Sequence, residues 1–277
     1  MEIKEILQAN NFRFNKALGQ NFITDVNLLD AIVNDAGVTA EDTVVEIGTG
    51  AGTLTRAISK AAKRVVTFEV DDNLRPVLSV TLSECKNVEV VFGDVLKMSD
   101  EDLKKYVSGP FKVVANLPYY ITTQLLMRFV ESTLDVTDLT LMMQKEVAER
   151  LVAKAGTPEY GAVTVAVDAV GYGKIVRSIG KNMFYPQPKV DSALYTLKID
   201  KNKLKIDDEK LFKKTVKAAF LWRRKTLANN LQTAFSMPKA TAEKILTGLG
   251  YDPMIRGEKL SAEEFVALAE AIARTER

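Results

Sequence analysis

Histidine is absent from this chain of 277 residues, and Cys85 is its only cysteine. Without histidine there is no Ser–His or Cys–His nucleophilic pair and no histidine-ligated metal site. A single cysteine excludes an internal disulfide and a cluster of thiolate metal ligands. We therefore expect no metal, and chemistry that relies on carboxylates, amides, backbone groups and a cofactor with its own reactivity.

Long apolar runs are also missing. No stretch approaches the length of apolar sequence that a membrane-spanning helix needs, so we expect no membrane partner. The start, MEIKEILQANNF, has acidic and polar residues where a signal peptide needs an apolar run, which predicts a cytoplasmic protein. The composition, 47% hydrophobic and 27% charged, is typical of globular domains.

Positive charge is concentrated in one segment although the net charge is only +2. Lys201–Lys225 contains ten Lys/Arg and three Asp/Glu, a local charge of +7, so the remainder carries −5. A solvated helix face can explain such a run. A phosphate-contacting surface is the interpretation that we favour, because the rest of the protein is slightly acidic.

Short β-branched runs alternate with amphipathic stretches over the first two thirds of the chain, which predicts an α/β fold with an open, doubly wound sheet. Strands are expected at Thr43–Gly48, Arg64–Val70, Val88–Asp94, Phe111–Asn116, Leu139–Met143, Gly173–Ser178 and Ser192–Ile199. Helices are expected at Thr53–Ala62, Asp72–Leu82 and Thr122–Glu131, and an earlier helix is capped by Asp25 and ended by Gly37.

The pattern becomes helical after Asp200, which predicts an α/β domain over residues 1–200 and a small all-α domain over residues 201–277. The helices expected there are Leu211–Phe220, Lys225–Phe235, Ala240–Leu249 and Ala262–Thr275, the last with a capping box formed by Ser261 and Glu264. Gly161–Val170 stays open between helix and strand.

A glycine-rich turn, VEIGTGAGT, follows the first predicted strand. Gly48 and Gly50 allow a tight turn and close approach to a ligand. Thr53 stands where a dinucleotide fingerprint has its last glycine, which weakens a pyrophosphate interpretation. Glu46, just before the turn, suits a cationic ligand better than an anionic one.

Acidic residues end the next two strands. Glu69 lies 21 residues after Gly48, where a doubly wound fold places the carboxylate that accepts ribose hydroxyls. Asp94 ends the third strand and could accept a hydrogen bond from an adenine amine. A single acid of this kind could be only a helix cap, but three at successive strand tips favour an adenosine-bearing cofactor.

The fourth strand ends in Asn116-Leu117-Pro118-Tyr119-Tyr120, a turn that suits a reaction on an aromatic amine. The Asn116 oxygen and a backbone carbonyl near Leu117 or Pro118 can accept the amine hydrogens and orient its lone pair. Tyr119 offers a face for stacking. Standing alone, this turn would be no more than a rigid loop with a packed tyrosine.

Several motifs occur together and in order: QNFI from Gln20, VEIGTGAGT, Glu69 and Asp94, NLPYYI from Asn116, and FYPQPKVDS from Phe184. This set resembles the rRNA adenine N6,N6-dimethyltransferase family, from about residue 13 to the end of the chain. The segment FLWRRKTLANNL from Phe220 resembles the kasugamycin-sensitivity branch, which dimethylates two adjacent adenines near the 3′ end of 16S rRNA.

The resemblance implies a class I S-adenosylmethionine-dependent methyltransferase with a Rossmann-like, seven-stranded and mostly parallel sheet. It implies that Asn21 and Ile23 close over the cofactor, Glu69 holds its ribose, Asp94 reads its adenine, and Asn116 bridges cofactor and target. Further contacts to the cofactor are expected from Glu46, Gly48, Gly50, Val70 and Val95. Leu117 and Pro118 would complete the catalytic turn, with Tyr119 and Phe184 on the two faces of the target base. Tyr120 has no expected role.

The expected partner is 16S rRNA within the assembling small ribosomal subunit, bound by a monomer. Lys189, Arg223, Arg224 and Lys225 are the expected RNA-binding residues, since arginine suits bidentate phosphate contact. Helix capping and surface solubility would explain the arginines equally well without the resemblance.

Three other functions remain open. One is a sibling enzyme that methylates an adenine of 23S rRNA and confers macrolide-type resistance, although the FLWRRKTLANNL segment speaks against it. Another is a binding factor for ribosome assembly that needs no turnover, which the intact NLPY turn speaks against. A nucleotide-dependent dehydrogenase is more distant because the chain lacks the G-x-G-x-x-G spacing.

Overall fold

The computed structural model describes residues 3–10, 12–15 and 19–275. The strands are β1 (Phe22–Ile23), β2 (Thr43–Ile47), β3 (Arg64–Glu69), β4 (Val88–Phe92), β5 (Phe111–Asn116), β6 (Val136–Gln144), β7 (Gly171–Ile179), β8 (Phe184–Tyr185) and β9 (Ser192–Ile199). The helices are α1 (Ile3–Ala9), α2 (Val26–Asp35), α3 (Thr53–Ala61), α4 (Arg75–Thr81), α5 (Asp100–Lys104), α6 (Thr122–Val130), α7 (Lys145–Leu151), α8 (Ala162–Val170), α9 (Glu209–Ala219), α10 (Leu227–Phe235), α11 (Lys239–Gly248) and α12 (Ala262–Thr275). None of the helices in these ranges is both long and apolar enough to cross a bilayer.

Seven strands form one sheet in the order β4-β3-β2-β5-β6-β9-β7. The pairs β2–β3, β3–β4, β2–β5 and β5–β6 are parallel, whereas β9 runs antiparallel to β6. The predicted mostly parallel α/β sheet is therefore confirmed. The chain builds outward from β2 to β4 and then returns to place β5 on the other side of β2. In such sheets a crevice opens at the carboxyl ends of the strands on either side of this switch point.

Strand β2 is mostly apolar because a parallel sheet is covered by helices on both faces. Val44, Val45 and Ile47 of β2 are buried. Helix α2 packs on one of these faces and begins where the sequence predicts: the Asp25 carboxylate accepts the Leu28 N–H at 2.9 Å. The same face holds α3, which follows the glycine-rich turn directly, so packing of the helices fixes the position of that turn.

The chain divides into two compact units: the first runs to Ala148 and includes Lys174–Ile199, and the second comprises Glu149–Gly173 and everything from Asp200 onward. The sequence analysis instead places a single boundary after Asp200. The difference arises because α8, in the stretch that the pattern leaves open between helix and strand, is a helix. Its Val165 and Ala169 belong to the same apolar core as α9, α10 and α12.

A second, two-stranded sheet is absent from the sequence predictions. β1 pairs with β8 antiparallel, with Phe22 opposite Tyr185 and Ile23 opposite Phe184. Strands of two residues have no alternation to detect, so the pattern could not show them. Phe14 packs between Phe22 and Tyr185, with ring centroids 5.5 and 5.4 Å away, and this aromatic cluster holds the ladder to the first unit.

Candidate active site

A cleft that is open to solvent lies at the carboxyl ends of β2 to β5. Segments far apart in sequence meet here because parallel strands end at the same edge of the sheet. The predicted site residues that line it are Asn21, Ile23, Gly48, Gly50, Glu69, Val70, Asp94, Val95, Asn116, Leu117, Pro118, Tyr119 and Phe184. Glu46, Lys189 and Arg223–Lys225 do not line this cleft.

The glycine-rich turn is held by hydrogen bonds to its backbone N–H groups, and Gly50 has little room for a side chain. Gly48 and Gly50 have φ of 81° and 56°, and a Cβ atom on Gly50 would lie 3.0 Å from the Phe22 ring. The Gly48 N–H donates to the Phe68 carbonyl at 2.8 Å, and the Gly50 N–H donates to Glu69 Oε2 at 2.7 Å. The turn therefore presents bare backbone to the cleft, as the sequence predicts.

Glu69 is the most constrained carboxylate on the cleft wall. It is 5% exposed; its Oε2 accepts the Gly50 N–H, and its Oε1 accepts the N–H groups of Val70 and Asp71, both at 2.9 Å. Burial raises the pKa of this carboxyl, and the three backbone N–H groups act in the opposite direction. Three of the about four lone-pair sites of the carboxylate are therefore occupied, and the remaining site, on Oε2, is available to a further donor.

Asp94 follows β4 at the same edge of the sheet and is more open than Glu69. Its Oδ1 accepts the Leu96 N–H at 3.0 Å, and its Oδ2 lies 3.4 Å from the ammonium of Lys97. Apolar side chains accompany the two acids in the cleft: Val95 is buried and Val70 is exposed. An acceptor beside apolar walls suits a flat heterocycle that carries an amine.

Asn116 ends β5 and is oriented by one hydrogen bond. Its Nδ2 donates to the Asn21 carbonyl at 3.0 Å. Because a carbonyl only accepts, this contact requires the amide nitrogen on that side and leaves Oδ1 as the acceptor. Within the described ranges, no donor is hydrogen-bonded to Oδ1.

The sequence left open whether Leu117 or Pro118 supplies the second acceptor. The Pro118 carbonyl already accepts the Ile121 N–H and the Thr122 hydroxyl, both at 3.2 Å, at the start of α6. No described residue donates to the Leu117 carbonyl. The structure therefore favours an acceptor pair made of Asn116 Oδ1 and the Leu117 carbonyl oxygen, with Pro118 shaping the turn.

Aromatic side chains from the turn after β5 and from β8 complete the cleft wall. The Tyr119 hydroxyl is 2.8 Å from the Ser192 hydroxyl, and burial raises the pKa of the Tyr119 phenol. Phe184 is buried on β8 and pairs with Ile23 of β1. The β1–β8 ladder, which the sequence did not predict, therefore places the segment of Asn21 and Ile23 beside this ring. Tyr120, without a role in the sequence analysis, also lines the cleft and is 66% exposed.

The prediction that Glu46 contacts a ligand directly is not supported. Its side chain is fully buried below the turn, where Oε2 accepts the hydroxyls of Thr55 at 2.5 Å and Thr67 at 2.7 Å. Thr67 is in turn 2.7 Å from the hydroxyl of Thr49, which lies in the glycine-rich turn. Glu46 is therefore connected to the cleft indirectly: it binds the Thr67 hydroxyl, which in turn contacts Thr49 and helps to fix the glycine-rich turn.

The stability of the protein should depend on pH because of this buried carboxyl. Burial raises the pKa of Glu46 from 4.5 to about 8, so the folded state prefers the protonated acid. The contribution of Glu46 is then fully present below pH 4.5 and is lost as the pH rises towards about 8. We expect the free energy of unfolding, measured by urea denaturation, to fall over that range in the wild type and to fall less in Glu46→Gln. Parallel curves for the two proteins would contradict this.

The predicted RNA-binding residues belong to different units. Lys189 is exposed in the loop between β8 and β9 of the first unit, and Arg223, Arg224 and Lys225 lie in the turn between α9 and α10 of the second. Arg223 has an internal role: its Nη2 donates to the carbonyls of Pro158 at 2.6 Å and Tyr160 at 3.2 Å.

The basic run is therefore not a uniform exposed surface. Lys203 has a side chain that is only 13% exposed, and its ammonium is 2.5 Å from Asp168 Oδ1 and 2.8 Å from the Gly171 carbonyl. Lys213 pairs with Glu209 on α9. The expectation that the run Lys201–Lys225 forms a phosphate-contacting surface does not hold for Lys203, because that lysine closes a loop inside the second unit.

Comparison with known proteins identifies a matching family model and similar proteins. The family model "Ribosomal RNA adenine dimethylase" matches residues 11–274. The proteins named ribosomal RNA small subunit methyltransferase A from Clostridioides difficile (strain 630) and Ligilactobacillus salivarius (strain UCC118) are 46% and 45% identical to this chain over 272 and 281 residues. These alignments cover 97% and 98% of this chain and 94% of each relative.

Solved structures agree with this fold. A dimethyladenosine transferase from Plasmodium falciparum is similar with a TM-score of 0.78 and 25% identity, covering 92% of this chain and 98% of that one. The 23S rRNA methyltransferase ErmE is similar with a TM-score of 0.69 and 25% identity, covering 91% of this chain and 99% of that one.

Proposed function

The chain belongs to the ribosomal RNA adenine dimethylase family, and we propose that it transfers methyl groups from S-adenosylmethionine to the N6 amines of two adjacent adenines near the 3′ end of 16S rRNA. The observation that carries the proposal is the acceptor pair at the end of β5, in the same cleft as the buried carboxylate of Glu69. The relatives named for the small subunit support that subunit as the substrate. We place the reaction on assembling small subunits in the cytoplasm, carried out by a monomer.

The cleft residues fit S-adenosylmethionine. Glu69, already oriented by three N–H groups, would accept a ribose hydroxyl at Oε2, and Asp94 would accept from the adenine amine between Val70 and Val95. The bare backbone at Gly48 and Gly50 would receive the methionine portion, with Asn21 and Ile23 over it. When bound, the cofactor supplies an electrophilic methyl group on a sulfonium.

The acceptor pair would compensate for the low nucleophilicity of the adenine N6 amine. The N6 lone pair of adenine is delocalised into the ring, so the amine attacks poorly while it is planar. Asn116 Oδ1 and the Leu117 carbonyl would each accept one N6 hydrogen, which favours a more tetrahedral nitrogen and directs its lone pair at the methyl. The Asn21 carbonyl holds the Asn116 amide in this orientation before the substrate arrives.

Tyr119 and Phe184 would hold the target base. An adenine must leave its stack to reach the cleft, and aromatic rings on the wall replace the stacking that it loses. The Ser192 hydroxyl fixes Tyr119 from one side, and the β1–β8 ladder fixes Phe184 from the other. For a second methylation the nitrogen still has one hydrogen, which either member of the acceptor pair can accept.

Lys189, Arg224 and Lys225 would contact RNA phosphates, since all three are exposed cations. Arg223 supports the turn that carries Arg224 and Lys225 through its bonds to Pro158 and Tyr160. Folded ribosomal RNA is recognised mainly by shape and by unpaired loops, so these contacts would position the substrate without reading its sequence.

Methylation of the large subunit is the second candidate, because ErmE shares the fold over nearly the whole chain. The test is transfer of labelled methyl groups to undermethylated small subunits and to large subunits in parallel, with mapping of the modified bases. We expect label only in the small subunit, as two dimethylated adenines side by side. Label confined to 23S rRNA would establish the second candidate, and binding without transfer to either subunit would indicate an assembly factor.

A further inference from the structure

An indole is exposed on the second unit, next to the basic triplet. Trp222 is the only tryptophan of the chain, and it lies with Leu221 in the turn 220–226 between α9 and α10. Both side chains are 47% exposed. Tryptophan is usually well buried in folded domains, and where it is exposed on a surface it is enriched at binding sites. Trp222 does not line the catalytic cleft, so a role in that cleft does not account for its exposure.

Several hydrogen bonds hold the backbone of the turn 220–226 in place. The fully buried Asn230 donates from Nδ2 to the Ala219 carbonyl at 2.9 Å and to the Trp222 carbonyl at 3.3 Å. The Lys225 N–H also donates to the Trp222 carbonyl, at 3.0 Å. The Thr226 hydroxyl then caps α10 by accepting the Asn229 N–H. The backbone that carries Trp222 is thus fixed at its own carbonyl and at the start of the next helix.

The three cations of the turn have different roles. Arg223 is tied down by the carbonyls of Pro158 and Tyr160 and so fixes one side of the turn. Arg224 and Lys225 are exposed, and within the ranges that the structure describes neither side chain has a hydrogen-bond or ion-pair partner. Two cations without internal partners therefore follow a half-exposed indole in a turn whose backbone is held by hydrogen bonds.

We propose that the turn 220–226 is a stacking site for an unpaired RNA base, with the Trp222 indole against the base and with Arg224 and Lys225 on the neighbouring phosphates. An aromatic face beside cations is the combination by which proteins bind single-stranded nucleic acid without reading its sequence. Arg223 is a positioning residue for the site. The biological substrate of this site rests on the proposed function, but the binding itself does not.

Fluorescence of the single tryptophan tests the site directly. The probe is a short oligouridylate, which contains unstacked bases and no adenine to enter the catalytic cleft. We expect it to quench the indole emission saturably, whereas the same strand in a duplex with oligoadenylate binds by charge with little quenching. Equal quenching by the two probes, or binding of the single strand without quenching, would overturn the stacking site.

Matched variants separate stacking from charge and from folding. Trp222→Leu should raise the Kd for oligouridylate, measured by filter binding, about 5-fold to 100-fold, and Trp222→Phe should recover much of the loss. Arg224→Gln should weaken binding and reduce its salt dependence, whereas Lys244→Gln, an equal charge change at an exposed position of α11, should not. Unchanged affinity in both Trp222 variants, with wild-type thermal unfolding, would contradict the proposal.

The same variants distinguish this site from the proposed function. If the wild-type protein methylates small subunits but oligouridylate does not quench its indole emission, only the proposal of the stacking site is refuted. If oligouridylate quenches the indole but no subunit is methylated, the stacking site stands and the proposed function fails. Loss of subunit binding in Trp222→Leu without any RNA quenching would indicate a protein partner and would overturn the RNA assignment.

Discussion

Replacement of Asn116 by alanine is expected to lower the single-turnover rate of methyl transfer to small subunits about 10²-fold to 10³-fold, the usual effect of removing one preorganised polar group that acts in the transition state. The physical reason is that Oδ1 is the side-chain acceptor at the end of β5, and its orientation is set before the substrate binds by the bond to the Asn21 carbonyl. The Leu117 carbonyl alone leaves one amine hydrogen unbound and the lone pair poorly directed.

Asn116→Asp is the informative companion. A carboxylate can accept the amine hydrogen, but it cannot donate to the Asn21 carbonyl, so the acceptor would be kept and its support lost. We expect this variant to retain more activity than alanine and less than wild type. If alanine and aspartate were both as fast as wild type at saturating cofactor and substrate, the role of Asn116 in the acceptor pair would be wrong.

Replacement of Glu69 by alanine should raise the Kd for S-adenosylmethionine about 10-fold to 100-fold, because one hydrogen bond to a charged acceptor contributes about 1.5–3 kcal/mol. The same change removes the partner of three backbone N–H groups, including that of Gly50 in the glycine-rich turn. Isothermal titration of the cofactor measures the effect.

Glu89→Gln is a matched control for this loss. Glu89 lies on the adjacent strand β4, pairs with Arg64 at 2.7 Å, and is about half exposed. We expect its cofactor affinity to equal that of the wild type. A Glu69→Ala protein that bound the cofactor normally while remaining folded would refute the assignment of Glu69 to the ribose.

Much of the fold could be predicted because its signals are local and repeated. A buried parallel strand is rich in β-branched residues, as in β2 and β3, and helix α2 begins at a capping aspartate. The sheet edge follows from the strands, so the positions of Glu69, Asp94 and Asn116 on one cleft could be inferred before any coordinate was known.

Other features depend on tertiary contacts that no local pattern records. The β1–β8 ladder joins segments more than 160 residues apart through two residue pairs. Glu46 has the sequence position of a ligand-contacting acid, but the hydroxyls of Thr55 and Thr67 direct it into the core instead. Sequence alone could not show that the Pro118 carbonyl is occupied by α6, nor that Arg223 is tied to Pro158 and Tyr160.

The boundary between the units shows the same limit. Helix α8 is apolar enough to be either a buried strand or a buried helix, and period alone does not separate the two in so short a run. Its assignment to the second unit follows from the core that it shares with α9, α10 and α12, including Phe265 and Leu231, and those residues come some 60 to 100 positions later in the chain.

A crystal structure of the protein with S-adenosylhomocysteine, the product of the methyl donor, tests the central claim most directly. The account predicts a ribose hydroxyl within hydrogen-bond distance of the Glu69 carboxylate, and the sulfur facing the space in front of Asn116 Oδ1. A ligand bound away from the carboxyl ends of β2 to β5, or an Asn116 amide turned so that Oδ1 faces away from the sulfur, would contradict it.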